Sequence, residues 1–314
     1  MRIPALLRAT ALLLVAGPHL VSPAAADDLT TCRDAAGDAA ITACTRAINS
    51  GGWRGPDLAA AYASRCHAYI EKGDSTRAIA DCNEAILANP RYDYAYMVYT
   101  DRGNAYRAKG DLGHAISDYT QAIRLEPNYA QSYDGRGRAY EINGELDRAI
   151  SDYSMAINLN HEDGPAYAGR GRAYLYRGNP AMALVDLNQA SELDPKSVES
   201  ALWVDIVRQR SNLPSRLAEA AAKIDMKTWS APVIRMFLGQ MSPAAVFLVA
   251  DDPDADKKRN QTCVANFYTG ELALRTGGKA DAIRLFRLAQ SGCPHDVTAW
   301  SAANAELKAL GGGH

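Results

Sequence analysis

Asp252, Asp254 and Asp256 alternate in the stretch DDPDADKKRN (251–260), the spacing at which a calcium loop presents its carboxylates. Lys257 stands where such a loop needs its glycine, and Cys263 where it needs its closing glutamate, so the stretch reads as a linker loop. The histidines are His19, His67, His114, His161, His295 and His314, and none has another His or a Cys at metal-ligand spacing. No G-x-S-x-G elbow, phosphate loop or papain-like cysteine motif occurs. The G-x-G pairs at 135/137 and 169/171 lie inside helical patterns, where they read as core glycines rather than a dinucleotide fingerprint. The expectation is a protein that is no enzyme, with no cofactor and no metal.

The cysteines carry the remaining chemistry. Cys32, Cys44, Cys66, Cys82, Cys263 and Cys293 are even in number and follow a leader. That leader has Arg2 and Arg8, a short apolar run from Ala9 to Gly17, a break at Pro18, and Ala24-Ala25-Ala26 before Asp27. It reads as a signal peptide cleaved after Ala26, which puts the chain in the periplasm or outside the cell, where disulfides form. Asp27 occupies the place of a lipid-bearing cysteine, and no segment is long and apolar enough to span a membrane. With 34 basic and 36 acidic residues the net charge is −2, and losing Arg2 and Arg8 takes it to −4. That balance gives no case for nucleic acid or an anionic surface.

The elements that hold these residues repeat. YASRCHAY (62–69), YTDRGNAY (99–106), YDGRGRAY (133–140) and YAGRGRAY (167–174) are each followed by a Gly-led second phrase, as in GDLGHAISDYTQAIRLEP (110–127). Tyr99, Tyr133 and Tyr167 are 34 residues apart, the period of a tetratricopeptide repeat (TPR), which the chain resembles. Counting from Ala59, Tyr96, Ala130 and Gly164, positions 4, 8 and 11 make one helical stripe and positions 20, 24 and 27 another. Glycine near position 15 ends the first helix, and proline at 32 ends the second except at His161. The fold expected is all-α, a right-handed TPR superhelix of stacked antiparallel hairpins. Position 7 is always arginine (Arg65, Arg102, Arg136, Arg170) and position 23 always aspartate (Asp81, Asp118, Asp152, Asp186), which predicts a ladder of ion pairs.

The register sets the boundaries. Residues 1–26 are the signal peptide, 27–57 an N-terminal capping half-repeat, 58–195 four repeats and 196–257 a degenerate helical segment. Residues 258–310 form a TPR-like repeat with a capping helix, and 311–314 a loose tail. Cys32–Cys44 is expected to staple the half-repeat and Cys263–Cys293 the last hairpin, with Cys263 opening its first helix. Cys66 and Cys82 sit at positions 8 and 24 on facing helices, where a bridge is reasonable but left open.

The stretches VIRMFLGQMSP (233–243) and CVANFYTGELALRTGGKADAIRLFRLA (263–289) narrow the likeness. They resemble the periplasmic TPR family typified by new lipoprotein I, whose members are adaptors that bring cell-wall hydrolases and proteases together. The resemblance implies a scaffold that binds a protein or peptide partner through the concave face of the superhelix. A carrier or assembly role for envelope polysaccharide or protein secretion is the alternative, and a homodimer stays open. TPR concave faces expose positions 2, 5, 9 and 12. There Arg138 and Arg172 have no acid at a repeated position, so Asn104, Arg107, Arg138 and Arg172 are the expected contacts of an acidic or C-terminal peptide segment.

Overall fold

The structure, a computed structural model, describes residues 23–90, 93–295 and 297–311. The leader expected over 1–26 and the tail over 311–314 therefore fall largely outside the described residues. Among those described there is no strand. The helices are α1 (Pro23–Asp34), α2 (Gly37–Asn49), α3 (Gly55–Glu71), α4 (Ser75–Ala88), α5 (Ala95–Ala108), α6 (Leu112–Leu125), α7 (Ala130–Ile142), α8 (Leu146–Leu159), α9 (Gly164–Tyr176) and α10 (Pro180–Leu193). They continue with α11 (Val198–Arg210), α12 (Leu217–Ala221), α13 (Ala231–Phe237), α14 (Pro243–Val249), α15 (Ala255–Arg275), α16 (Lys279–Gly292) and α17 (Thr298–Ala309). Each packs mainly on its neighbours in sequence, as a solenoid requires. No helix among the described residues is long and apolar enough to cross a membrane.

Local chemistry punctuates the hairpins. Gly73, Gly110, Gly144, Gly178 and Gly277 all take positive φ, which lets a first helix turn out of its last carbonyls. Asp74, Asp111 and Asn179 then cap the following helix by accepting from the backbone N–H of Arg77, His114 and Met182.

Tyrosine and glycine fit together between the layers. The ring of Tyr119 (position 24) is fully buried, and a Cβ on Gly103 or Gly135 would stand 2.8 or 2.5 Å from it. Tyr153 lies likewise between Gly137 and Gly169, at 3.0 and 2.4 Å. The two glycines of each G-x-G pair thus serve different position-24 side chains, one from the preceding repeat and one from its own: Tyr119 and Tyr153 for Gly135 and Gly137, Tyr153 and Leu187 for Gly169 and Gly171. In the next layer Leu187 replaces tyrosine and Trp203 stands where the outer glycine would be, a size exchange within one core cluster. Gly169→Ala is therefore expected to cost about 1–3 kcal/mol by overpacking, with Tyr153→Leu in the same chain recovering most of it. Chemical denaturation of the single and double variants checks this, and a single variant as stable as the parent would refute the fit.

Three disulfides are formed: Cys32–Cys44, Cys66–Cys82 and Cys263–Cys293, with Cα–Cα distances of 4.6, 5.5 and 5.0 Å. Disulfide-bonded cysteines and the lack of a spanning helix among the described residues are consistent with a secreted or periplasmic chain.

Two expectations need correction. The N-terminal half-repeat is a helix pair, because α1 packs along α2. The linker loop at 251–260 ends early, because Asp254 accepts from the N–H groups of Asp256 and Lys257 and starts α15 at Ala255. Cys263 consequently sits two turns inside that helix. The alternating aspartates are a turn and a cap: Asp252 accepts from the Asp254 N–H.

Candidate concave-face binding site

The position-7 arginines form the predicted ladder, with more partners than the sequence shows. Arg136 donates to Asp152 through Nε and Nη2 at 2.7 and 2.9 Å, and through Nη1 to Thr120 of the preceding helix at 3.1 Å. Arg65, Arg102 and Arg170 hold Asp81, Asp118 and Asp186 in the same two-pronged way. Their third contacts are Thr45, Asn83 and Ser154, always position 25 of the unit before. Each guanidinium also lies 5.3–5.9 Å from its own position-4 tyrosine ring: Tyr62, Tyr99, Tyr133 or Tyr167. These arginines are satisfied inside the stack, and they lock successive repeats in register.

The four expected contact residues lie on the first helices α5, α7 and α9, and the structure gives most of them partners. Asn104 accepts from the Tyr119 hydroxyl at 2.8 Å. Arg138 donates to Asp134 at 2.9 Å, one turn away, and keeps a third of its side chain exposed. Arg172 is only 5% exposed, donating to Glu141 at 2.9 Å and to Glu199 at 3.4 Å. Both arginines therefore do have acids, at positions that do not recur, and their guanidinium pKa values rise further as a result, for Arg138 mainly through the Asp134 charge. The Tyr153 hydroxyl joins Glu141 at 2.6 Å. Arg107 Nε and Asp134 Oδ1 are buried in this network with no hydrogen bond among the described residues.

Buried charge pairing continues beyond the repeated Arg–Asp positions. Arg210 on α11 donates to Glu271 of α15 at 2.6 Å and to Glu306 of α17 at 2.8 Å. Two buried carboxylates share one cation, and burial together with the Glu306 charge pushes Glu271 up to about 8. Glu271 falls at position 9 of the last repeat, but Arg210 and Glu306 come from two other units and share no repeat position with it.

The open part of the face is at its N-terminal end. There α1, α3 and α5 enclose a hollow of about 420 Å³ lined by Ala63, His67, Glu71, Tyr94, Met97 and Asp101, among others. Tyr94 and Met97 are 54% and 40% exposed, unusual for such side chains. His67 Nδ1 lies 3.0 Å from Asp101, whose carboxylate raises the imidazole pKa.

A profile described as TPR repeat matches residues 103–144, and one described as tetratricopeptide repeat matches 59–92 and 164–197. The chain carries tetratricopeptide repeats. No curated protein sequence matches it. Solved structures similar to this TPR chain include a tetratricopeptide repeat protein from Parabacteroides merdae, at 20% identity and TM-score 0.48 over 78% of this chain and 97% of that one. MamA is another, at 22% identity and TM-score 0.45 over 55% and 93% of the two chains. The first TPR of Spaghetti, solved with an HSP90 peptide, covers 38% of this chain and 95% of its own at 26% identity and TM-score 0.38. TPR proteins are in general non-catalytic scaffolds, and among the described residues no three His, Cys, Asp or Glu side chains converge as metal ligands.

Proposed function

We propose that this TPR protein is an exported adaptor that binds an extended segment of a protein partner on its concave face. The observation that carries this is the hollow between α1, α3 and α5, where exposed Tyr94 and Met97 stand beside His67, Glu71 and Asp101. An apolar floor with a few polar groups is the surface a partner segment needs. From there the segment runs over Asn104 and Arg107 to Arg138. Arg172, buried and doubly paired, closes the far end of the track. Partner carboxylates meet Arg107 and Arg138 in competition with Asp134, so electrostatics sets orientation more than affinity. Following the likeness to the new lipoprotein I type, the partners are cell-wall hydrolases or proteases of the periplasm.

The test is capture from an envelope extract with the mature chain and with Tyr94→Arg/Met97→Arg, both exposed sites. Hydrolases or peptidases retained by the parent and reduced at least tenfold on the double variant are the expected result. Equal retention by both proteins would reject the concave face as the binding surface.

A further inference from the structure

A second docking surface lies in the C-terminal third, at the place of a missing helix. In the repeats, the edge of each first helix at positions 7, 10 and 14 is covered by the second helix of the unit before. Arg136 at position 7 reaches Thr120 of α6, and Arg177 at position 14 pairs with Asp147 of α8 at 2.7 Å. Lys72 pairs in the same way with Asp38 of α2. Ala105 at position 10 is buried in one core cluster with Ala78, Cys82 and Ala85 of α4. The covering helices, α2, α4, α6 and α8, run 13 or 14 residues.

In front of α15 there is no such helix. The segment before it holds α12, α13 and α14, of 5, 7 and 7 residues. The same three positions of α15 are Thr269, Leu272 and Thr276, and all three line a groove of about 610 Å³ floored also by Met236, Met241 and Leu285. Leu285 is position 23 and Thr269 position 7, so the Arg–Asp pair of the other repeats is absent here, and the Thr269 hydroxyl donates instead to Met236 Sδ of α13 at 3.6 Å. Arg275 and Arg284 also line the groove, with Asp281 3.6 Å from Arg284.

We propose that this groove seats one amphipathic helix of a partner protein, of about the length of α4, which completes the solenoid. The resident helices state the chemistry it needs. They turn Ile79/Asn83/Ile86, Ile116/Thr120/Ile123 and Ile150/Ser154/Ile157 toward the next repeat, an i, i+4, i+7 stripe whose middle residue is polar because it accepts from the position-7 arginine. Facing Thr269 and Leu285 instead, the guest carries three apolar residues. The resident acids Asp38 and Asp147 sit in the first turn of their helices. A guest carboxylate in the same turn meets Arg275, where it also suits the helix dipole.

The probe is a fluorescent helical peptide of this pattern, three leucines at i, i+4 and i+7 and a glutamate in its first turn, titrated with the mature chain and read by anisotropy. Saturable binding is expected, weakened tenfold or more by Leu272→Glu. Arg275→Glu, at an exposed site, should weaken it at least threefold, and a peptide with lysine in place of its glutamate should recover that loss. Equal binding of a peptide with scrambled leucines, or indifference to both substitutions in folded protein, would overturn the proposal. So would sedimentation showing a dimer that Leu272→Glu dissociates, because the occupant would then be a second copy.

Discussion

Arg136→Ala is expected to destabilise the array by roughly 3–5 kcal/mol, far more than an ordinary surface ion pair would. The reason is what it leaves behind. Asp152 is 5% exposed, and both of its carboxylate oxygens accept from Arg136. Without the arginine a buried charge has no counter-ion, Thr120 loses its donor and the Tyr133 ring loses a cation. Deleting both charges together should cost much less. The protein carries its own precedent, because the last repeat holds Thr269 and Leu285 at the equivalent positions. Arg136→Met/Asp152→Leu should therefore recover most of the loss. Denaturant unfolding of the single and double variants measures the coupling, and simple additivity would rule the ladder out as a cooperative device.

Stability should also fall as pH rises from about 5 to about 8. The folded chain holds Glu271 as the neutral acid up to about 8, while the unfolded chain releases that proton near the ordinary glutamate value of 4.5. Between those values the native state binds more protons than the unfolded state, so stability declines with pH and levels off above 8. The raised pKa of Glu306 acts in the same direction. A shift of this size corresponds to on the order of 3–4 kcal/mol across the window. His67, whose pKa is also raised, adds a smaller decline above its ordinary value, because its protonated form is the one Asp101 favours. Glu271→Gln isolates that carboxyl: its thermal midpoint should fall less than the parent's from pH 5 to 8 and exceed that of the parent at pH 8. Parallel curves for the two proteins would disprove the assignment.

What the residues disclose and what they hide divides along a physical line. Contacts within one hairpin recur at the same positions of every repeat, so positions 7 and 23 and the turn glycines were legible. Contacts between hairpins were not. The outer glycines Gly135 and Gly169 were visible as core, but the tyrosines they accommodate belong to the preceding repeat. The acids of Arg172 are Glu141 and Glu199, 31 residues before and 27 after, a spacing that fits no period. The acid of Arg138, Asp134, has no counterpart in the other repeats, where Ala63, Thr100 and Ala168 stand. The segment from 211 to 250 breaks the period, and its short helices matter because they fail to fill a seat. The hollow on the concave face arises only where α1, α3 and α5 come together, and Tyr94 lies outside the repeat register altogether.

Partners are proposed to bind on the concave face. Photo-crosslinking in living cells tests it most directly, with a crosslinking side chain placed at Met97 on the concave face or at Leu87 on α4, an exposed site away from the hollow. Adducts with other exported proteins are expected from position 97 and none from position 87. Adducts from position 87 alone, or equal yields from both, would contradict this.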